Sequence, residues 1–283
     1  METCEVSTPH FFSKPLSSNS NKGGFVKLCV LGSGSKGNSF YFECGSTKIL
    51  VDVGFSAKRI VERLGHIGVS PGEISGICIT HEHGDHVRGL VKFSFDHQIP
   101  AYLTRKTFSK IKNKEKLEPT ARLFESGSHF AIENISVLPF PILHDAADPH
   151  GYIIKNQTKQ VAVATDIGYI TQLVRYRLQN MDWLVLESNY DEAMLKAGPY
   201  PWQLKQRVMS KHGHLSNVDA TAAIKDAHHE GLKGVSLAHI SETNNCEEIA
   251  LDTISKRLKY WEIDRLKIQM TYQQRIAPMI ELS

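Results

Sequence analysis

Thr80-His81-Glu82-His83-Gly84-Asp85-His86 is the stretch on which the reading of this 283-residue chain turns. It follows a short apolar run, residues 74–79, that has the length and composition of a buried β-strand, and it precedes a segment periodic enough to be one helix over 85–96. The cluster therefore belongs on a turn at the carboxyl end of a strand, where α/β folds place their chemistry. Three imidazoles and a carboxylate this close together destabilise a chain unless something pairs them, and a bound metal does so most simply. The competing reading is a solvated histidine-rich turn; histidines and acids recurring at suitable points downstream weigh against it.

Outward from the cluster, strands are expected at 26–31, 39–44 and 48–51, the last delivering Asp52, with Ser56 capping a helix to about residue 64. After the cluster come a strand at 101–103 and a basic helix over 105–116. Strands follow at 122–124, 132–140, 151–155 and 160–164, the last leading into Asp166. Later expectations are a helix at 170–179, a strand at 183–187, and short helices either side of Gly198-Pro199-Tyr200-Pro201. The chain closes with helices at 217–228 and 247–260, strands at 234–238 and 266–270, and a terminal extended piece. A strand-rich run followed by helices occurs twice, which favours two sheets packed face to face with helices outside.

Composition sets the outer bounds. With 41% hydrophobic residues the chain has ample material for a core. A formal charge of +3 is weak evidence for any polyanionic partner. Five scattered cysteines with no C-x-x-C pair suit free thiols in a reducing compartment. No apolar stretch approaches the roughly 20 residues of a membrane span. Residues 1–24, rich in Ser and Asn and without an apolar core, read as a disordered tail on a single domain at 25–283 in a cytoplasmic protein.

Asp52, His144, Asp166 and His239 each end an apolar segment, as ligands do when a site lies along one edge of both sheets. One zinc takes three or four ligands, so this set is too large for a single ion, whereas two metals about 3.5–4 Å apart would use it fully. The expected division gives His81, His83 and His144 to one ion, Asp85, His86 and His239 to the other, and Asp166 to both. Asp52 is expected behind them, holding an imidazole N–H; a turn-forming Asp before glycine is the alternative. The oxygen and nitrogen donors admit zinc or manganese.

His81-x-His83-x-Asp85-His86, followed in order by His144, Asp166 and His239 and preceded by Asp52, resembles the metallo-β-lactamase superfamily of hydrolases. The resemblance implies an αββα four-layer sandwich of two mixed sheets with helices outside, and a dinuclear site. Four further stretches are similar to the YycJ/WalJ-like subfamily: Gly32-Ser33-Gly34-Ser35-x-Gly37-Asn38-Ser39, Leu186-Glu187-Ser188-Asn189, Gly213-His214-Leu215-Ser216-Asn217 and His239-Ile240-Ser241-x-x-Asn244-Asn245. That subfamily implies 5′-to-3′ exonuclease action on DNA. Tyr190 departs from the pattern, standing where a histidine is expected. The resemblance also makes His214 similar to the histidine that protonates the leaving group in tRNA 3′-processing relatives.

Phosphodiester hydrolysis suits these residues. A hydroxide shared by two metals forms near neutral pH, and the ions offset charge growing on phosphate, with Asp85 at the heart of that chemistry. His214, just before a helix, is positioned to serve as general acid; a structural, hydrogen-bonded histidine is the other reading. For gripping phosphate the candidates are Ser241, Asn244 and Asn245 at the start of the last helix, and Ser33, Ser35 and Lys36 in the glycine loop, which reads equally well as a plain connecting turn. The basic run Arg105, Lys106, Lys110, Lys112, Lys114 and Lys116 is ordinarily a solvated helix face, and otherwise a track for a nucleic-acid backbone. The function expected is thus a metal-dependent nuclease, with DNA favoured and RNA processing the nearest rival. A thioester or lactone hydrolase comes from a different substrate class, and a regulatory protein with a vestigial site from a third.

Overall fold

In a computed structural model, residues 26–283 are described; Phe25 and the tail expected at 1–24 lie outside the described residues. The first seven-stranded sheet contains β1 (Val26–Gly32), β2 (Ser39–Cys44), β3 (Thr47–Val51), β4 (Gly76–Cys78), β5 (Ala101–Thr104) and β6 (Ala121–Phe124). The second contains β7 (Phe130–Ile132), β8 (Ile135–Pro141), β9 (His150–Lys155), β10 (Gln160–Ala164), β11 (Trp183–Glu187), β12 (Gly234–Ala238) and β13 (Lys267–Met270). The last strand, β14 (Ile280–Leu282), returns to the first sheet beside β1, with Val26 opposite Leu282. Both sheets are mixed: β1 to β3 and β7 to β10 pair antiparallel, whereas β3 to β6 and β10 to β13 pair parallel.

Three apolar layers hold this together. Side chains alternate between the two faces along β1 to β3, so Leu28, Phe40, Phe42, Ile49 and Val51 turn toward Val137, Tyr152, Val161 and Val185 of the other sheet. The opposite faces are covered by helices. Tyr41, Leu50 and Ile77 pack under α1 (Ala57–His66) and α3 (Leu90–His97), and Ala162, Leu184 and Leu237 pack under α5 (Gln172–Arg177), α8 (Asn217–Ala227) and α9 (Glu247–Tyr260). The result is helix, sheet, sheet, helix, the four-layer sandwich. Because β10, β11 and β12 are covered on both faces, their residues are buried almost throughout.

Three elements differ from expectation. The helix expected over 85–96 is two, α2 (Gly84–Val87) and α3, broken at Arg88-Gly89. Gly89 N donates to Val53 O (2.9 Å), and a Cβ on Gly89 would lie 2.2 Å from Phe55 O, so docking on the loop after β3 decides the break. The strand expected over 132–140 is a hairpin, with Glu133 in the left-handed region (φ 51°) between β7 and β8. The basic helix expected over 105–116 shrinks to α4 (Arg105–Lys110) and a 3-10 turn at Lys114–Lys116. Among the described residues, no helix is long and apolar enough to cross a membrane.

Candidate metal centre

The site lies where parallel strands of both sheets end. Asp52 follows β3, the histidine cluster follows β4, Asp166 follows β10, Glu187 is the last residue of β11, and His239 follows β12. His144 comes just after β8. Asp52, Asp166 and His239 all occupy the left-handed region, with φ of 63°, 56° and 53°. Such backbone costs on the order of 1 kcal/mol per non-glycine residue and persists where surrounding structure dictates it. A backbone interlock fixes the cluster's other side: Asn38 N donates to Asp85 O (2.7 Å) and Gly54 N to Asn38 O (2.9 Å).

Hydrogen bonds set which nitrogen each imidazole presents. Asp52 accepts from Thr80 N (2.9 Å), from Thr80 Oγ1 (2.8 Å) and from His86 Nδ1 (2.7 Å). With its own hydrogen given to Asp52, Thr80 Oγ1 accepts from His81 Nδ1 (3.0 Å). His144 Nδ1 donates to Gly213 O (3.2 Å). Glu187 Oε1 takes the Nδ1 hydrogens of His214 (2.8 Å) and His239 (2.7 Å), while Oε2 accepts from Ile167 N (2.8 Å). In all five rings Nδ1 is turned to an acceptor, so Nε2 is the nitrogen left to act.

The ligand atoms of the cluster converge. One ligand atom each from His81, His83 and His144 fall within 4.8 Å of one another, as do those of His81, His86 and Asp166. His83 Nδ1 and His144 Nε2 stand 3.3 Å apart. Asp166 Oδ2 approaches His86 Nε2 to 3.1 Å and Asp166 Oδ1 lies 3.8 Å from His144 Nε2, so this carboxylate spans both sets. Asp85 Oδ2 lies 3.5 Å from His86 Nε2 and 3.7 Å from His239 Nε2. Asp166, Glu187, His214 and His239 also gather within 4.8 Å. Glu187 already holds the Nδ1 hydrogens of His214 and His239 there, so that group is a proton network rather than another ion site.

Buried acids and imidazoles shift one another strongly here. Burial raises the Asp166 and Asp85 carboxyls, yet the histidines around them outweigh it and hold both below the ordinary range. Burial likewise lowers the His86 and His239 imidazoles, and Asp166 with its neighbouring acids more than offsets this, leaving both well above. His81, buried beside the other imidazoles, is pushed well below. His81 Nε2, Asp166 Oδ2 and His239 Nε2 are buried and without a well-formed hydrogen bond among the described residues, although Asp166 Oδ2 lies 3.1 Å from His86 Nε2. Unpaired buried atoms of this kind are costly, and a divalent cation would satisfy all three. The residues fit divalent-metal binding.

The candidate phosphate contacts are distributed differently. Ser33 Oγ donates to Asn38 Oδ1 (2.9 Å) and accepts from His239 N (2.8 Å), so it secures the loop after β12. Ser241 Oγ accepts from Asn244 N (3.0 Å), and Asn245 bonds Ser188 O, Asn189 O and Asn217. These groups are engaged within the protein. Asn244 Oδ1 is buried without a partner among the described residues, Ser35 is exposed, and Lys36 Nζ pairs with Glu242 Oε2 (2.5 Å) at the rim. Tyr190 is buried with Leu195 and Val208 in a small apolar cluster beside α6 (Glu192–Ala197) and α7 (Trp202–Val208). Glu187 is a candidate functional residue that residue-by-residue reading overlooked. Its signal was present: a lone acid ending the wholly apolar Trp183-Leu184-Val185-Leu186 obeys the rule that picked out Asp52 and Asp166.

Comparison with known proteins agrees with this geometry. Residues 47–240 match the β-lactamase superfamily domain. The chain is 33% identical over 263 residues to the exodeoxyribonuclease WalJ of Streptococcus pneumoniae, covering 90% of this chain and 98% of that one. It is 35% identical over 236 residues to the exodeoxyribonuclease YycJ of Bacillus anthracis, covering 83% and 89%. Among solved structures, the metallo-β-lactamase-fold protein YhfI of Bacillus subtilis superposes with a TM-score of 0.69 at 18% identity, over 92% of this chain and 100% of that one. The chain therefore belongs to the β-lactamase superfamily and, within it, to the family of WalJ and YycJ.

Proposed function

We propose that this protein is a metal-dependent hydrolase of nucleic acid, an exodeoxyribonuclease acting in the 5′-to-3′ direction. The observation that carries the reading is the meeting of two features at one sheet edge: unpaired buried ligand atoms on His81, Asp166 and His239, and the Glu187–His214 pair beside them. The substrate class is supported by the exodeoxyribonucleases WalJ and YycJ, which align with this chain along nearly their whole length.

Two divalent ions, zinc or manganese, would be held by His81, His83 and His144 and by Asp85, His86 and His239, together with Asp166, which approaches both groups. When bound, they would activate water and offset the charge on phosphate. The residues themselves do the rest. Asp52 keeps His86 in its ligand tautomer directly and His81 through Thr80. Glu187 does the same for His239 and orients His214, whose Nε2 faces outward from the pair. His214 is one-fifth exposed at its side chain, so it can protonate a departing alkoxide and exchange the proton with solvent.

The deciding assay incubates metal-loaded protein with end-labelled single- and double-stranded DNA, structured RNA and a thioester, beside Asp85→Ala. Mononucleotides released progressively from the 5′ end of DNA are expected, and loss of that activity in Asp85→Ala. Hydrolysis of RNA or thioester in place of DNA, or DNA hydrolysis surviving the substitution, would sink the assignment.

A further inference from the structure

The basic run at 105–116 is not one solvated face. Its broken geometry turns Lys110, Lys112 and Lys116 into one wall of a groove of about 710 Å³, whose other wall is α2 and α3. Val87, Val91 and Ile111 form an apolar floor, Arg88 and Lys92 rise from the helix side, and Phe95 presents an aromatic side chain that is 47% exposed. The groove opens at Glu82 and Gly84, so one end is the histidine motif itself. Its volume is that of a ligand cleft.

Charge in the groove is unbalanced. Lys92 is paired with Asp96 (2.7 Å), and Glu82 Oε1 accepts from Ala147 N (2.8 Å). Among the described residues, Arg88, Lys110, Lys112 and Lys116 enter no ion pair; Arg88 reaches only the Lys36 carbonyl (3.0 Å). Four unneutralised cations around an apolar floor with one exposed aromatic match a single nucleic-acid strand: phosphates on the rim, bases toward the floor and Phe95. An acidic protein segment would suit the rim but would leave the aromatic unexplained.

We infer that this groove is the path of the substrate strand on one side of the scissile bond, with Lys110, Lys112, Lys116 and Arg88 gripping its phosphates and Phe95 stacking on a base. The inference rests on the nuclease reading above and deepens it. Arg105, Lys106 and Lys114 belong to the same run but do not line the groove, and Lys114 Nζ is turned to Ser109 O (3.3 Å).

This supplies an internal control of equal charge. The wild-type, metal-loaded protein is first assayed for hydrolysis of end-labelled DNA; failure there removes the nuclease reading itself. With hydrolysis established, binding of a fluorescent single strand of about twenty nucleotides is measured across a salt series for two triple variants. Lys110→Glu/Lys112→Glu/Lys116→Glu should weaken binding about 30-fold or more at low salt and flatten the log–log salt slope by about 2, at roughly 0.7 per phosphate contact. Arg105→Glu/Lys106→Glu/Lys114→Glu, with the same charge change, should shift binding by no more than about threefold. Phe95→Ala should lose about tenfold with little change of slope. Equal losses in the two triples would mean that net charge alone acts, and no loss in the groove triple would mean that the strand runs elsewhere; either overturns the inference.

Discussion

Glu187 Oε1 accepts the Nδ1 hydrogen of His239 at 2.7 Å, across the ends of the adjacent parallel strands β11 and β12. The same oxygen holds His214 at 2.8 Å. One fully buried carboxylate thus positions a candidate metal ligand and a candidate general acid together. Burial raises its pKa, but the two imidazoles outweigh that and keep it ionised.

Glu187→Gln should uncouple that arrangement. Oε2 of Glu187 receives Ile167 N and Oε1 receives two ring N–H groups, so every position available to the new NH2 faces another donor. Both metal affinity and kcat should fall by about 10- to 100-fold. Metal analysis after dialysis together with steady-state kinetics checks this; wild-type values in both would show that Glu187 is dispensable.

His214→Ala should separate proton delivery from metal binding. The imidazole spends Nδ1 on Glu187 and is not among the nitrogens grouped with His81, so metal content should hold while kcat on DNA drops by about 100-fold or more. A phosphodiester with a nitrophenolate leaving group needs little protonation and should suffer far less. Equal losses on both substrates would place His214 in a purely structural role.

Metal binding should become tighter as pH rises. In the metal-free protein burial lowers His86 and His239, but the surrounding acids raise both well above the ordinary imidazole value, so both must shed a proton to become ligands. The affinity should climb by up to about two log units per pH unit across neutrality, with protons released on binding. The sign for stability is opposite without metal. Those raised groups favour the folded state fully below the unfolded value of about 6.5, and that contribution fades as pH climbs through their folded values. A chelator should therefore lower Tm more at about pH 8.5 than at about pH 6. Calorimetry in buffers of differing ionisation enthalpy reads the protons, and a pH-independent affinity would contradict the assignment.

Gly54→Ala should be among the most damaging changes outside the ligands. A Cβ there would lie 1.6 Å from Asp85 O and 2.6 Å from Asn38 N, both backbone atoms that cannot step aside. The interlock of Asn38, Gly54 and Asp85 must open, at an expected cost of about 3 kcal/mol or more. Denaturant titration checks the stability, and metal content should fall with it; a variant of wild-type stability would show the loop to be plastic.

Much of the architecture was legible in the chain because its strands are short, apolar and closed by recognisable turns. β11, β12 and α9 stand where apolar length and flanking residues put them, and Ser56 caps α1 by accepting from Arg59 N (3.4 Å). Two of the misplaced boundaries escaped the pattern for physical reasons. At Gly89 and Glu133 the local pattern is continuous, and what interrupts it is contact with a remote segment or a left-handed residue, neither of which periodicity records.

For Thr80 to His86 the division is similar. Residue type and spacing alone pointed to a cation at this stretch, since a bound metal pairs three imidazoles and their neighbouring acids most simply. Folding decided everything relational. Asp52 stands behind His86 only because β3 and β4 pair in parallel, and Asp166 reaches both ligand groups only because the two sheets end together. Glu187 joins His214 to His239 because β11 runs beside β12. Lys110, Lys112 and Lys116 part from Arg105 and Lys106 because the chain turns between them. Chemistry is written into residue identity, whereas hydrogen-bond direction and groove walls depend on distances between segments far apart in sequence, which only the packed sheets fix.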